Sequence, residues 1–465
     1  MSSSGADAAG LRHTVAVPPR SGDVSGAPSM RLLITAEHTS ARFGGEAALA
    51  LHYFRVLRQR GAQVWLVTHS RTRDELSTLF PDEQRIHYIP DSWLHRWAWH
   101  IGSVLPDQIS YFTTGFVARL ATQVVQRRVI RRLVASEQID IIHQPMPVSP
   151  REPSMIFGFG VPVVIGPMNG GMDYPPVFRK RRGSVERVLL GLGRWGAQMM
   201  NRLMPGKRQA AMLVVANART EAALPKGLCP RVVHVVENGV DLGLWRPSGE
   251  PSVAPANEAA ATFVFLGRLV GWKAVELLVH AFKKARAQAP MRLIIIGDGD
   301  ERVRLEGIAR SLEVLAESDA PAGTIRFMGW MAQRDCAAEL QRADCLVLPS
   351  LLECGGAVVL EAMSLGKPVI ATAWGGPLDY LDSQCGVLVP PTDRDTLIDG
   401  FADAMIRLAK SPAERERLGR NGREKVLREY DWDVKVDRIV ELYERAMRGH
   451  SLGIDATGVG GETSR

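Results

Sequence analysis

Short apolar runs alternate with amphipathic stretches of ten or more residues, first between Arg31 and Val236 and again between Phe263 and Val389. That alternation leaves few folds open. An apolar run of four to seven residues bounded by turn signals reads as a buried strand, and a stretch with apolar positions every three or four residues reads as a helix. Strand and helix in strict alternation build a parallel sheet covered by helices on both faces. The first set of strands is predicted at Arg31–Glu37, Gln63–Thr68, Asp140–Gln144, Val161–Gly166, Ala211–Ala216 and Val232–Val236. The second is predicted at Phe263–Leu266, Leu293–Ile296, Ile325–Met328, Cys345–Leu348, Pro368–Ala371 and Gly386–Val389. Two such sets in 465 residues, with 46% hydrophobic and 23% charged residues, predict an α/β protein of two doubly wound domains, each with its own core.

The boundaries follow from composition. Residues 1–29, rich in Ser, Gly, Ala and Pro, are expected to be disordered, and 449–465 to form a loose tail. The first domain is expected over 30–246, a Pro/Ala/Ser linker over 247–261, the second domain over 262–430 and a final helix over 431–448. No apolar stretch reaches membrane-spanning length free of charge or Pro, and the N-terminus lacks the apolar segment of a secretory signal. Five cysteines without paired spacing fit reduced thiols in a cytoplasm. The net charge of +7 is modest for this length and fits an acidic membrane surface, a phosphorylated substrate or no specific partner; no nucleic-acid partner is expected.

Chemistry concentrates at Pro349–Ala371. Glu353 falls at the carboxyl end of a predicted strand, Gly355 and Gly356 lead into a helix through Ala357 and Val358, and Glu361 lies one turn further on. Free N–H groups at a helix start bind anions, and glycines let a phosphate approach the backbone. Carboxylates suit vicinal sugar hydroxyls. Together they suit a nucleotide-sugar, and the stretch equally suits an ordinary strand-loop-helix with two helix-terminal glutamates favoured by the dipole. Other turns end strands in the same manner: Phe43-Gly44-Gly45, Pro167-Met168-Asn169-Gly170-Gly171, Glu237-Asn238-Gly239-Val240-Asp241, Gly267-Arg268 with Lys273, and Gly297-Asp298-Gly299-Asp300. His143 closes a strand and is expected to open onto the same crevice. Asp298 and Asp300 imitate a metal-binding Asp-x-Asp, a reading set aside because they lie in a strand-to-helix turn. Between Arg179 and Arg208 nine basic residues face one acid, Glu186, on an amphipathic pattern that suits anionic lipid or a solvated helix face. Trp93, Trp97 and Trp99 form an aromatic cluster suited to a membrane interface, an acceptor surface or the core.

Five of these pieces occur in an order that resembles the retaining, B-type (GT-B) bacterial glycosyltransferases of glycosyl transferases group 1, family 4-like. They are Phe43-Gly44-Gly45, Asn238-Gly239-Val240-Asp241, Gly267-Arg268-Leu269 with Lys273, Gly297-Asp298-Gly299, and Glu353 followed after seven residues by Glu361. The resemblance spans nearly the whole chain. It implies two Rossmann-like domains facing a central cleft, the first on the acceptor side and the second holding the donor, with the 431–448 helix packing back toward the first.

By the same resemblance, Glu353 would contact donor-sugar hydroxyls and Glu361 the ribose. Arg268, Lys273 and the amides around Gly356, Ala357 and Val358 would neutralise the departing diphosphate. Gly44 and Gly45 would approach the donor phosphates, and His143 would face the reacting sugar. Two departures stand out. The family's Glu-Gly-Phe-Gly is here Glu353-Cys354-Gly355-Gly356, and its Glu-Lys-Gly is Gly271-Trp272-Lys273-Ala274.

The expected activity is transfer of a sugar from a nucleotide-sugar to a lipid-linked or glycan acceptor in exopolysaccharide or lipopolysaccharide synthesis. Neither a cofactor nor an obligatory metal is expected. The protein would lie at the cytoplasmic face of the plasma membrane, with 179–208 on anionic lipid. The competing expectations are a soluble enzyme forming a glycoside or disaccharide, and a sugar-nucleotide epimerase of similar form.

Overall fold

The computed structural model describes residues 30–43, 45–102, 114–179, 196–247, 260–316 and 321–451, without the side chain of Trp99. Outside them lie the expected disordered segment 1–29, Gly44, 180–195 of the basic stretch, 248–259 of the linker and 452–465 of the tail.

Two parallel sheets form. The first contains β1 (Arg31–Thr35), β2 (Gln63–His69), β3 (Ile86–Ile89), β4 (Ile141–Gln144), β5 (Val163–Met168), β6 (Met212–Val215) and β7 (Val232–His234), in the order β3-β2-β1-β4-β5-β6-β7. The second contains β8 (Ala261–Leu266), β9 (Met291–Ile296), β10 (Ile325–Gly329), β11 (Cys345–Leu348), β12 (Val369–Thr372) and β13 (Gly386–Val389), in the order β10-β9-β8-β11-β12-β13. The central strands β4, β5, β6, β11 and β12 are buried at every residue, as the continuous apolar runs require of strands covered on both faces. β3 was not among the predicted strands: four residues, Ile-His-Tyr-Ile, with two half-buried, carry too little apolar signal.

Each sheet reverses direction once, between β1 and β4 and between β8 and β11. In doubly wound sheets ligands bind outside the carboxyl ends of the strands that flank this reversal. In the second half those strands lead into Gly267–Lys273 and Glu353–Val358.

The halves exchange chain at two adjacent crossings. After β7, Val240 and Trp245 enter the core of the second sheet, so the first unit ends near residue 237 and not at 246. In return, Trp432, Val436, Ile439, Leu442 and Tyr443 of the last helix join the core of the first sheet beside Leu32, Ile34 and Phe54. The crossings meet where the Val240 N–H donates to the Tyr430 carbonyl at 2.8 Å. The last helix runs over Trp432–Ser451, three residues into the stretch expected as tail.

Six helices position the site residues and their surroundings: α1 (Gly45–Gln59), α2 (Trp93–Gly102), α3 (Ala218–Ala222), α4 (Val275–Ala285), α5 (Ala357–Ser364) and α6 (Trp432–Ser451). α4 starts from an unusual residue. Ala274, its N-cap, sits in the left-handed region at φ 51°, ψ 34°. An L-residue with a Cβ pays about 1–2 kcal/mol there. Ala274→Gly is therefore expected to raise stability by about 0.5–1 kcal/mol after loss of one buried methyl. A urea unfolding series reads this, and a lower midpoint would contradict it.

Candidate active site

At the reversal of the second sheet three loops converge. Past β8, Gly267 leads to exposed Arg268, and a single 3-10 turn, Gly271–Lys273, carries the lysine back. Beyond β11, the chain runs through Glu353 to Gly356, which caps α5 in the left-handed conformation at φ 82°. Following β12, Trp374–Gly376 folds against the second loop, with the Gly376 N–H donating to the Glu353 carbonyl at 2.7 Å. The Leu351 N–H donates to the Trp272 carbonyl at 2.9 Å and ties the first loop to the second.

Lys273 and Glu353, predicted separately, meet as an ion pair in which both side chains are largely buried. Arg268 has no carboxylate partner among the described residues; its guanidinium lies 5.7 Å from the Trp272 ring. A Cβ on Gly267 would stand 3.8 Å from the Lys273 Cε, and one on Gly356 would stand 3.0 Å from the Glu353 Cγ. The amides of Ala357 and Val358, at the open start of α5, donate to no group among the described residues. One cation without an acid, one lysine shared with a carboxylate and a helix start are together a candidate anion cradle.

The Glu361 carboxyl, on α5, has no hydrogen-bond or ion-pair partner among the described residues, and burial alone pushes it up to about 7. A carboxylate kept in such a place at the expense of stability is a candidate functional position. Between pH 4.5 and about 7 the folded protein holds this proton more tightly than the unfolded chain, so stability is lost as pH rises through that window. Glu361→Gln should therefore stabilise the protein by about 1 kcal/mol above pH 7, allowing for its partial exposure, and not below pH 4.5. Melting curves at pH 5 and pH 8 measure this; an equal shift at both would contradict it.

From the first half, Gly45 opens α1 with no atom within 4 Å of a Cβ placed on it. Gly44 lies outside the described residues. The exposed Cys354 thiol is pushed up to about 11, by desolvation first and then by Glu353, Glu237 and Glu46, against the charge of Arg219. Such a thiol is a poor nucleophile at neutral pH.

His143 does not belong to the crevice. It is fully buried, its Nε2 is 2.6 Å from the Gly166 carbonyl, and its Nδ1 is 2.7 Å from the Tyr443 hydroxyl of α6. Burial lowers its pKa to about 4, so it is a neutral packing residue between the first sheet and α6.

The other sequence expectations divide. Asp298 is engaged, accepting from the Gly299 N–H at 2.8 Å and pairing with Arg302 at 3.1 Å. Lys207, counted with the basic stretch, is buried and donates to the carbonyls of Ser149 and Pro150 at 2.9 and 3.0 Å. Trp93, Trp97 and Ile101 form an exposed stripe on α2, the first two 70% and 47% accessible. His69, Asp91 and His95 bring ligand-type atoms within 4.8 Å of one another. The two Nδ1 atoms accept the N–H groups of Arg71 and Ser92 and Asp91 pairs with Arg71 at 2.7 Å, while the buried His69 Nε2 has no hydrogen-bond partner among the described residues.

Sequence reasoning missed the contacts between the halves. The Trp374 indole donates to the Asp173 carbonyl at 2.8 Å, and Asn217 to Asp379 at 2.8 Å. Asn169 donates to the Cys354 carbonyl at 2.9 Å and to Glu237 at 2.6 Å.

Residues 250–425 match the family described as Glycosyl transferases group 1. A D-inositol 3-phosphate glycosyltransferase from Nocardioides sp. is 34% identical over 257 residues, 51% of this chain and 54% of that protein. The chain thus spans about half the length of the curated relatives it matches. A glycosyltransferase from Rickettsia africae superposes with a TM-score of 0.62 at 14% identity, covering 90% of this chain and 100% of its own. The Anabaena protein HepE, solved in complex with UDP and glucose, gives 0.59 at 16% identity with the same coverages. Residues 250–425 thus match the glycosyl transferases group 1 family, and the two parallel sheets have the GT-B fold.

Proposed function

We propose that this protein is a retaining hexosyltransferase that moves a sugar from a nucleotide-sugar donor to a lipid-linked or glycan acceptor, in exopolysaccharide or lipopolysaccharide synthesis. The observation that carries the proposal is the convergence at one sheet reversal of Arg268, the Lys273–Glu353 pair, the open amides of Ala357 and Val358, and the unpartnered Glu361. The bound UDP and glucose of the Anabaena protein support a nucleoside diphosphate donor.

Breaking the bond between sugar and phosphate builds positive charge on the sugar and negative charge on the leaving diphosphate. Arg268 and the α5 amides are preplaced for the second charge, where each strong donor contributes about 3–4 kcal/mol. Lys273 would share its charge between the diphosphate and Glu353. Glu353 would accept from donor-sugar hydroxyls and Glu361 from the ribose. These residues supply the charge stabilisation without a metal, and the acceptor attacks the face the diphosphate leaves. Contact between the halves keeps water from the reacting sugar.

A lipid-linked acceptor at the cytoplasmic membrane face is supported by the Trp93–Trp97–Ile101 stripe and by the basic residues from Arg179 onward. No helix among the described residues is long and apolar enough to cross a membrane. Incubation of the pure protein with a panel of labelled nucleotide-sugars tests the activity. Donor hydrolysis or transfer is expected, and a folded protein inert across the panel would refute it. Binding to anionic liposomes, lost on Arg181→Glu with Arg187→Glu, is the expected result for a lipid-linked acceptor; absence of binding by the parent would favour a soluble glycoside.

A further inference from the structure

Glu237 is the last residue before the chain crosses from the first half to the second. It is 5% exposed, in a place where a carboxylate is costly to bury. Its Oε1 accepts from two side-chain amides, Asn169 Nδ2 at 2.6 Å and Asn238 Nδ2 at 3.0 Å. Each amide nitrogen has a second hydrogen, and both reach into the second half. That of Asn169 goes to the Cys354 carbonyl at 2.9 Å, and that of Asn238 to the Tyr380 hydroxyl at 2.9 Å.

Gly355 lies directly over this node: a Cβ there would stand 2.3 Å from Asn238 Nδ2 and 2.5 Å from Glu237 Oε1. The other oxygen, Oε2, is buried with no hydrogen-bond partner. An orphaned buried acceptor is costly to keep. Arg219 of α3 adds a second grip on the same carbonyl, at 3.5 Å, and reaches Asn169 Oδ1 at 3.4 Å.

We propose that Glu237 is a positioning residue for the donor loop: by orienting Asn169 and Asn238 it holds Cys354 and Gly355, so that Glu353 and the start of α5 take their working arrangement only with the two halves together. The assignment rests on the donor site proposed above. Glu237 touches none of the reacting groups. It acts through the loop, and misplacement of about 1 Å at a reacting centre lowers turnover by up to about a hundredfold.

Two readouts test this. Hydrogen exchange of the amides at 353–357 in the free protein needs no activity. Glu237→Ala and Asn169→Ala are each expected to speed it at least about tenfold while exchange in β11 and β12 is unchanged. Glu237→Gln keeps the accepting oxygen and should leave the loop at parental exchange. In steady state on the donor found by the panel, Glu237→Ala and Asn169→Ala should each lower kcat about tenfold or more with donor KM within about threefold. Their double variant should be no worse than either alone, and Glu237→Gln should retain parental kcat. Parental exchange at 353–357 in both alanine variants would overturn the proposal, as would Glu237→Gln failing as badly as Glu237→Ala. If the parent turns over no donor, the donor-site reading fails by itself and the exchange data still decide the role of Glu237.

Discussion

Lys273→Ala is expected to cut turnover at least tenfold, and up to about a thousandfold if the lysine carries a full share of the leaving-group charge. The structure gives the variant two defects. It removes a cation beside Arg268, and it strands Glu353, whose carboxylate has Lys273 as its side-chain partner. Breaking a largely buried pair by deleting one member is worse than deleting both, because the remaining charge has no compensation. Lys273→Ala with Glu353→Gln should therefore be no slower than Lys273→Ala alone by more than a few-fold, whereas independent roles would multiply the losses. Steady-state kinetics on the best donor of the panel decide between these outcomes. Unchanged turnover in the single variant would remove Lys273 from the site.

The second large effect is structural. Gly297→Ala is expected to destabilise the second half by about 3 kcal/mol or more. At φ 139° Gly297 has a backbone conformation that L side chains rarely adopt, and a Cβ would fall 1.9 Å from the Gly267 carbonyl oxygen. The obstacle is backbone on both sides, so no side chain can yield, and relief would push Gly267, Arg268 and the Lys273 turn away from Glu353. A lowered melting temperature and weakened nucleoside diphosphate binding should appear together. Gly307→Ala is the control. Gly307 lies inside the Arg302–Ser311 helix with nothing within 4 Å of an added Cβ, so alanine there should be neutral or gain up to about 1 kcal/mol. Similar losses at both positions would show that the crowding at Gly297 is not what matters.

The parallel architecture was legible because its signal is local: Cys345–Leu348 and Val369–Ala371 are unbroken apolar runs followed by turn residues, and they lie in buried strands. The meeting of Lys273 with Glu353 was legible only in part. Each stands after a strand that flanks the sheet reversal, which places both at one edge, but their direct pairing depends on the 3-10 turn and the left-handed Ala274. His143 shows where such reasoning stops. A strand end gives the edge of the sheet, yet not whether the ring faces the crevice or, as here, a tyrosine from the far end of the chain. Glu237 was read as part of a turn for the same reason: its meaning comes from Asn169 and from Gly355 above it, both distant in sequence. The Gly355 departure from the family loop also becomes intelligible, because the space a side chain would take is filled by Asn238 and Glu237.

The most direct measurement is a structure of the protein with a nucleoside diphosphate-sugar or its nucleoside diphosphate product bound. The account predicts the diphosphate within hydrogen-bond distance of Arg268, Lys273 and the N–H groups of Ala357 and Val358, with the ribose on Glu361. A diphosphate bound elsewhere, with Glu361 still unpartnered, would contradict it.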